Sequence, residues 1–466
     1  MAWSQGEILT ATGGALARAG KQLRFGAVVT DSSKVKPGAV FVALKGERFD
    51  GHRFTADAVR RGAACVIVHR QLPGVKLGNA TVIRVNDTLG ALGDLANFRR
   101  RRFGPKVLAI TGSNGKTTTK EMVAAILEEA SLESRSLRGK ILKTEGNFNN
   151  LVGLPLTLLR LRKKDKVAVV ELGTNHPGEI ERLARIAEPD LAIITAVAAA
   201  HLEGLKSLAG VAREKGALYR NVRRGGAIVV NLDDPWVKRL GAKFKGKKFT
   251  YGGRGQVRAQ ALDHDAQGVG FELRAGARRC QIHLRYLGQH NVANALGAAA
   301  LTLGAGVSLT AVRRGLAKAK PYAMRMQIQQ WRGIGMINDA YNANPASMRA
   351  ALTTLAEIPC RGQRIAVLGD MFELGRQSSK EHRALGRTAA RAKIDRLYLL
   401  GAQAGKVRAG ALGAGMKAQQ ICIGADHGEL ARRIGAVAKR GDWLLFKGSR
   451  GMKMENVLDQ LTGGKA

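Results

Sequence analysis

The chain has 466 residues, 45% of them hydrophobic and only ten of them proline, and it carries a formal net charge of +40. This composition excludes a disordered or fibrous chain and gives length for two to four domains with substantial cores. No apolar run approaches the roughly 18 residues that cross a bilayer, and the first residues lack the basic and apolar regions of a signal peptide, so a cytoplasmic protein without membrane insertion is expected. The basic excess invites a nucleic-acid reading, but it is spread over the whole chain, and aromatic residues, which stack bases, make up only 5%. Cys65, Cys280, Cys360 and Cys422 stand far apart, so neither a zinc site nor a disulfide framework is indicated.

In chain order, residues 1–103 show strand-like runs at 27–30 and 40–44 around a Lys-Pro-Gly turn, a helix at 53–61, a strand at 64–68 and a helix at 89–98. Arg99 to Pro105 reads as a linker, because an arginine run followed by Gly104 and Pro105 breaks a helix. Residues 104–320 alternate strands at 107–111, 167–171, 191–195 and 227–231 with helical segments, the pattern of a mostly parallel sheet covered on both faces. Short alternating runs at 249–286 suggest antiparallel strands, and 291–303 is an alanine-rich helix. Beyond Pro321 the alternation restarts, with strands at 335–339, 364–370, 396–401, 420–424 and 442–447 and no second phosphate loop. The expected class is α/β in three domains: a small α/β unit at 1–103, a central P-loop mononucleotide-binding unit at 104–320, and a Rossmann-like unit at 321–466 that brings in a substrate and closes on the nucleotide about linkers near Pro105 and Pro321.

The most specific chemical signal is the strand at 107–111 running into Gly112, Ser113, Asn114, Gly115, Lys116, Thr117 and Thr118, with a helix at 120–130 behind it. Glycines let backbone N–H groups approach an anion, the helix N-terminus attracts it, Lys116 reaches terminal phosphates, and Thr117 suits Mg²⁺. In sheets of this kind ligands sit at the carboxyl ends of strands, which singles out Glu171 after 167–170 as a carboxylate for the same ion. His201 follows the next strand. By itself it reads as structural, as Lys215 reads as a solvated helix lysine.

Taken together, GSNGKTTT (112–119), TEGNFNNLVGLP (144–155), VVELGTNHPGEI (169–180), AAAHLEGL (198–205) and AREKGALY (212–219) resemble the ATP-dependent Mur ligases in order and spacing. GQHNVAN (288–294), INDAYNANPAS (337–347), VLGDMFELG (367–375) and KGSRGMKME (447–455) resemble the branch of that family that adds D-alanyl-D-alanine. The resemblance implies that ATP and two Mg²⁺ ions are held centrally and that UDP-N-acetylmuramoyl-tripeptide and D-Ala-D-Ala are joined through an acyl phosphate. It implies catalytic roles for Lys116, His201 and Lys215, and a metal set of Thr117, Glu171, His201 and a carbamoylated Lys215. It also implies nucleotide contacts from the 112–118 loop, Asn294, Arg325 and Asp339. Candidate substrate contacts are Ser32, Lys45, Asn149, Asn150, Tyr341, Asn342 and Asn344. Ser33 stands where the family usually has arginine, so an anion contact is lost or moved to Lys34 or Lys45. A monomer with no specific nucleic-acid partner is expected. The alternatives are a sibling ligase adding a single amino acid, as in folate polyglutamylation, and a basic P-loop protein on nucleic acid, for which no binding motif is found.

Overall fold

In this computed structural model, residues 2–46, 49–134, 140–265 and 267–464 are described. Three large sheets organise them, besides a two-stranded antiparallel pair of Trp3–Ser4 with Arg24–Phe25. A five-stranded sheet runs in the order Ala15–Arg18, Thr81–Arg84, Cys65–Val68, Val40–Val42 and Val28–Val29, parallel except for its first pair. The apolar strands Cys65–Val68 and Val40–Val42 are buried throughout, as expected of parallel strands covered on both faces.

The central sheet has nine strands. From one edge they are Arg278–Leu284, Val269–Ala275, Val257–His264, Lys247–Tyr251, Ala227–Asn231, Leu191–Ile194, Lys106–Thr111, Asp165–Glu171 and Lys140–Lys143. The antiparallel expectation for 249–286 holds for the last three strands of that stretch. Lys247–Tyr251, however, pairs parallel with Ala227–Asn231, so the parallel sheet extends further than read from sequence. Lys106–Thr111 lies between Asp165–Glu171 and Leu191–Ile194, so the chain leaves it toward one edge and later returns on its other side. Such a reversal opens a crevice at the carboxyl ends of the strands, and the glycine loop sits there. The third sheet, in the order Gln327–Trp331, Ile334–Asn338, Trp443–Lys447, Arg364–Gly369, Arg396–Leu400 and Ile421–Ile423, is parallel after its first hairpin.

The linker expected at Arg99–Pro105 is instead the end of a long helix, Thr88–Phe103, which stops at Gly104 with φ of 57°. Its arginines are not repelled into a loop, because each meets an oxygen or an aromatic face. Arg100, with 5% of its side chain exposed, donates to the Ala187 and Glu188 carbonyls at 3.0 and 2.9 Å and to Asp190 at 3.3 Å. Arg101 pairs with Glu188, Arg102 with Glu7, and Arg99 lies 5.0 Å from the Trp3 ring centre. Cations at a helix C-terminus also favour its dipole. One apolar core runs from Trp3, Ile67 and Leu92 into Val107, Leu183 and Leu218, so the first sheet and one face of the central sheet are packed as a unit. The core is continuous across Pro105. The carboxy-terminal sheet has its own clusters on its two faces.

Candidate active site

Strand Lys106–Thr111 delivers its chain directly into Gly112, and the helix Lys116–Glu133 begins at Gly115. Both glycines are obligatory here for space. A Cβ on Gly112 would lie 1.9 Å from Thr195 Oγ1, and one on Gly115, with φ of 80°, would lie 2.2 Å from Asn294 Oδ1. Lys116 Nζ folds back to donate to the Gly112 carbonyl at 2.8 Å. Burial pushes this ammonium below the ordinary lysine range, Glu171 opposes that shift, and the Arg325 charge adds to it.

Glu171 ends strand Asp165–Glu171 and is 1% exposed. Thr117 Oγ1 donates to its Oε2 at 2.9 Å and Asn149 Nδ2 to its Oε1 at 2.8 Å, while its backbone N–H donates to Thr144 Oγ1. A hydroxyl and one carboxylate beside a phosphate loop form a donor set that suits Mg²⁺, an ion that completes its shell with phosphate and water. Among the described residues no group of three or more His, Cys, Asp or Glu side chains converges, so an all-protein metal cage is not formed.

Across a cavity of about 600 Å³ the carboxy-terminal sheet supplies the opposite wall. Arg325 stacks 4.1 Å from the Tyr341 ring centre, and its buried Nε has no partner among the described residues. Asp339, at the end of strand Ile334–Asn338, accepts from Lys447 at 2.6 Å and from the Met326 N–H at 3.1 Å. Side-chain contacts join the lobes, and the Glu203 N–H also donates to the Glu373 carbonyl at 3.4 Å. Asn344 Nδ2 donates to Asn114 Oδ1 at 2.7 Å, and His201 Nδ1 meets Glu373 Oε2 at 2.5 Å. His201, Met324, Met326 and Glu373 all have φ between 51° and 61°, so strained non-glycine backbone gathers around this cavity.

Ser113, Asn114, Gly115, Lys116, Thr118, Asn149, Glu171, His201, Asn294, Arg325, Asp339, Tyr341, Asn342 and Asn344 line the cavity together. Gly112, Thr117 and Lys215 stand behind its wall. Lys215, on helix Leu208–Arg220, is 1% exposed and has no hydrogen-bond or ion-pair partner among the described residues. The solvated-lysine reading is therefore overturned. Burial drives its pKa well below that of free lysine, the Lys116 charge lowers it further, and Glu214 opposes both. Asn294 donates to Asn291 Oδ1 at 2.9 Å. Asn150 is not in the wall; its Oδ1 accepts from Val152 and Gly153 N–H and so holds a turn. Ser32, in the helical turn Ser32–Lys34, and Lys45, which bridges to Asp50, are not in the cavity wall. At the arginine-to-serine departure, Ser33 N–H and Oγ both donate to Asp31 Oδ1, at 3.0 and 2.7 Å.

Among the wall residues that escaped the sequence reading are four with basic or acidic side chains, His290, Glu373, Lys447 and Arg450. His290, whose pKa burial pushes down to about 4, precedes the assigned Asn294. Glu373, Lys447 and Arg450 follow or end strands Arg364–Gly369 and Trp443–Lys447, and the rule that sites gather at strand carboxyl ends could have flagged them.

The sequence matches the Mur ligase family catalytic domain at residues 24–100, the Mur ligase middle domain at 110–302 and the Mur ligase glutamate ligase domain at 324–450. It is 38% identical over 449 residues to the UDP-N-acetylmuramoyl-tripeptide–D-alanyl-D-alanine ligase of Escherichia coli, covering 95% of each chain. It is 35% identical to the same-named enzyme of Bacillus subtilis, covering 93% of this chain and 92% of that one. Among solved structures, MurF from Acinetobacter baumannii superposes with a TM-score of 0.91 at 33% identity over 99% of both chains. MurF from Thermotoga maritima in complex with ADP gives 0.83 at 27% identity, over 94% of this chain and 97% of that one.

Proposed function

The chain belongs to the Mur ligase family, and on that premise we propose that it joins D-Ala-D-Ala to UDP-N-acetylmuramoyl-tripeptide in peptidoglycan precursor synthesis, with ATP cleaved to ADP and phosphate. The observation that carries this reading is the cavity itself, in which a phosphate loop on one lobe faces Arg325 and Asp339 on the other. An amide does not form from a carboxylate and an amine in water, because the carboxylate has no leaving group. In the proposed sequence the tripeptide carboxylate takes the γ-phosphoryl group from ATP. The amine then attacks the acyl carbon, the C–O bond to phosphate breaks, the amine nitrogen loses a proton, and inorganic phosphate departs.

The protein's task is to position and neutralise three anionic partners. Lys116 and Arg325 hold phosphate oxygens, Asn294 takes the adenine, and Asp339 the ribose. Thr117 and Glu171 would hold one Mg²⁺, and His201 with Lys215 a second; the ions supply charge neutralisation on the phosphates. The second pair needs an anionic Lys215. Burial lowers the proton affinity of its amine, and the neutral amine is the form that adds to CO₂: an N–C bond forms, one proton leaves the nitrogen, and the side chain becomes an anionic carbamate ligand. In this reading the amino-terminal domain, 1–103, takes the UDP-sugar end through Ser32 and Lys45. The central domain, 104–320, holds ATP, and the carboxy-terminal domain, 321–466, presents the dipeptide. Tyr341, Asn342 and Asn344 lie where the last two meet, and Asn149 orients Glu171. The enzyme acts as a cytoplasmic monomer; no helix among the described residues is long and apolar enough to cross a membrane.

The deciding assay offers the UDP-linked tripeptide and ATP with either D-Ala-D-Ala or single amino acids. Rapid ADP release and a pentapeptide product with the dipeptide alone are expected. Ligation of a free amino acid in its place would transfer the assignment to a sibling ligase.

A further inference from the structure

A zwitterionic amine substrate needs an anion for its ammonium and a cation for its carboxylate, and the cavity wall can be searched for both. Among the described lining residues the carboxylates are Glu171, Asp339 and Glu373. Glu171 has both oxygens engaged, by Thr117 and Asn149, and Asp339 has both engaged, by Lys447 and the Met326 N–H. Glu373 differs. Only its Oε2 is engaged, by His201 of the opposite lobe, and Oε1 has no partner among the described residues. Nearly half of this side chain is exposed, so an incoming ammonium can reach it.

The cations sort in the same way. Lys116 and Arg325 belong to the phosphate end, where the charge of Arg325 reaches Lys116. Lys447 is tied to Asp339 and to the Asn342 carbonyl at 2.9 Å. Arg450 remains. Its Nη1 meets Glu455 at 2.5 Å, while Nε and Nη2 have no partner among the described residues. The two free groups flank one aromatic side chain. Phe372 precedes Glu373, its N–H donates to Ser449 Oγ at 2.8 Å beside Arg450, and its ring covers Gly451 so closely that a Cβ there would meet it at 2.8 Å. With 47% of its surface exposed, Phe372 offers an apolar face between the two charges.

We propose that Glu373 and Arg450 form the docking site of the amine substrate, Glu373 holding its ammonium and Arg450 its carboxylate, with Phe372 against its small side chains. This rests on the ligase reading above and deepens it. The contact of Glu373 with His201 places the docked nitrogen beside the opposite lobe, where the activated carboxyl must lie, so the amine is aligned as it binds. Glu373 is in this role a specificity-determining residue. It selects an α-ammonium over a hydroxyl, because an uncharged isostere would leave a carboxylate without its counter-ion.

The test measures KM for each substrate separately and uses analogues on the unaltered enzyme as well as variants. Glu373→Gln and Arg450→Ala are each expected to raise KM for D-Ala-D-Ala about 10-fold or more, with KM for ATP moving less than about two-fold. On the unaltered enzyme, the dipeptide C-terminal amide and the analogue with hydroxyl in place of ammonium should inhibit ligation at least about 10-fold more weakly than the dipeptide binds. Arg450→Ala should erase the discrimination against the amide. Equal affinity of the unaltered enzyme for dipeptide and both analogues would overturn the proposal, as would equal rises in the KM of ATP and dipeptide, which would make Glu373 a clasp between lobes. Absence of any ligation by the unaltered enzyme would instead overturn the ligase reading itself.

Discussion

Lys116→Ala is expected to lower ligation turnover by about 10²-fold or more, the size of effect seen when a preorganised electrostatic group is removed from a water-poor site. The reasoning starts from geometry. Gly112 and Gly115 are fixed by Thr195 and Asn294, so the loop cannot re-form around a shorter side chain, and no other lysine on the central lobe lines the cavity. The ammonium now rests on the Gly112 carbonyl, a bond that a phosphate oxygen would replace or share. Burial and the neighbouring Arg325 disfavour this cation, and a polyphosphate bound beside it offsets that cost. The loss should therefore fall on kcat more than on dipeptide KM, with the fold unchanged by circular dichroism. Turnover by Lys116→Ala within a factor of a few of the unaltered enzyme would remove this loop from the chemistry.

The second large effect is at Lys215. Lys215→Ala should lose about 10²-fold or more in turnover, and short carboxylates such as formate or acetate added to the variant should restore part of it by standing in for a carbamate. Lys215→Met separates this role from a structural one. A lysine without a partner at 1% exposure is a stability liability, because the unfolded chain binds a proton that the folded chain holds poorly. Its folded pKa is lowered, so stability rises with pH through the interval from that value up to the ordinary lysine range. In CO₂-free buffer the methionine variant should therefore be the more stable protein at neutral pH, and its advantage should fade as pH approaches the ordinary lysine range. A thermal denaturation series against pH measures this directly. An inactive Lys215→Met that is also less stable at neutral pH would mean that the amine serves packing.

The site was legible where chemistry is carried by contiguous residues. Gly112 to Thr118 could be read as a phosphate loop from glycines, lysine and flanking periodicity, and the apolar runs at 107–111, 167–171 and 227–231 read correctly as parallel strands. Lys215 was legible only through the resemblance, because a helical lysine carries no local mark of burial; the packing that removes its water comes from distant segments. The Arg99–Arg102 run was misread for the same reason, since Glu7, Leu159, Ala187, Glu188 and Asp190, which satisfy it, lie far along the chain. Lys140–Lys143 and Gln327–Trp331, edge strands with polar residues and no buried run, gave too little period-two signal to be seen. Glu373 and Arg450 sat inside motifs that the reading used for resemblance, and only the closed geometry of the two lobes makes their free oxygens and nitrogens apparent.

The central claim is that a carboxyl group is activated by phosphate from ATP held over Gly112–Thr117. It is tested most directly by ligating a tripeptide acceptor whose terminal carboxylate is labelled with ¹⁸O. Collapse of an acyl phosphate leaves one carboxyl oxygen on phosphorus, so one labelled oxygen should appear in each inorganic phosphate released. Amide formed with unlabelled phosphate, or with no nucleotide cleaved, would contradict it.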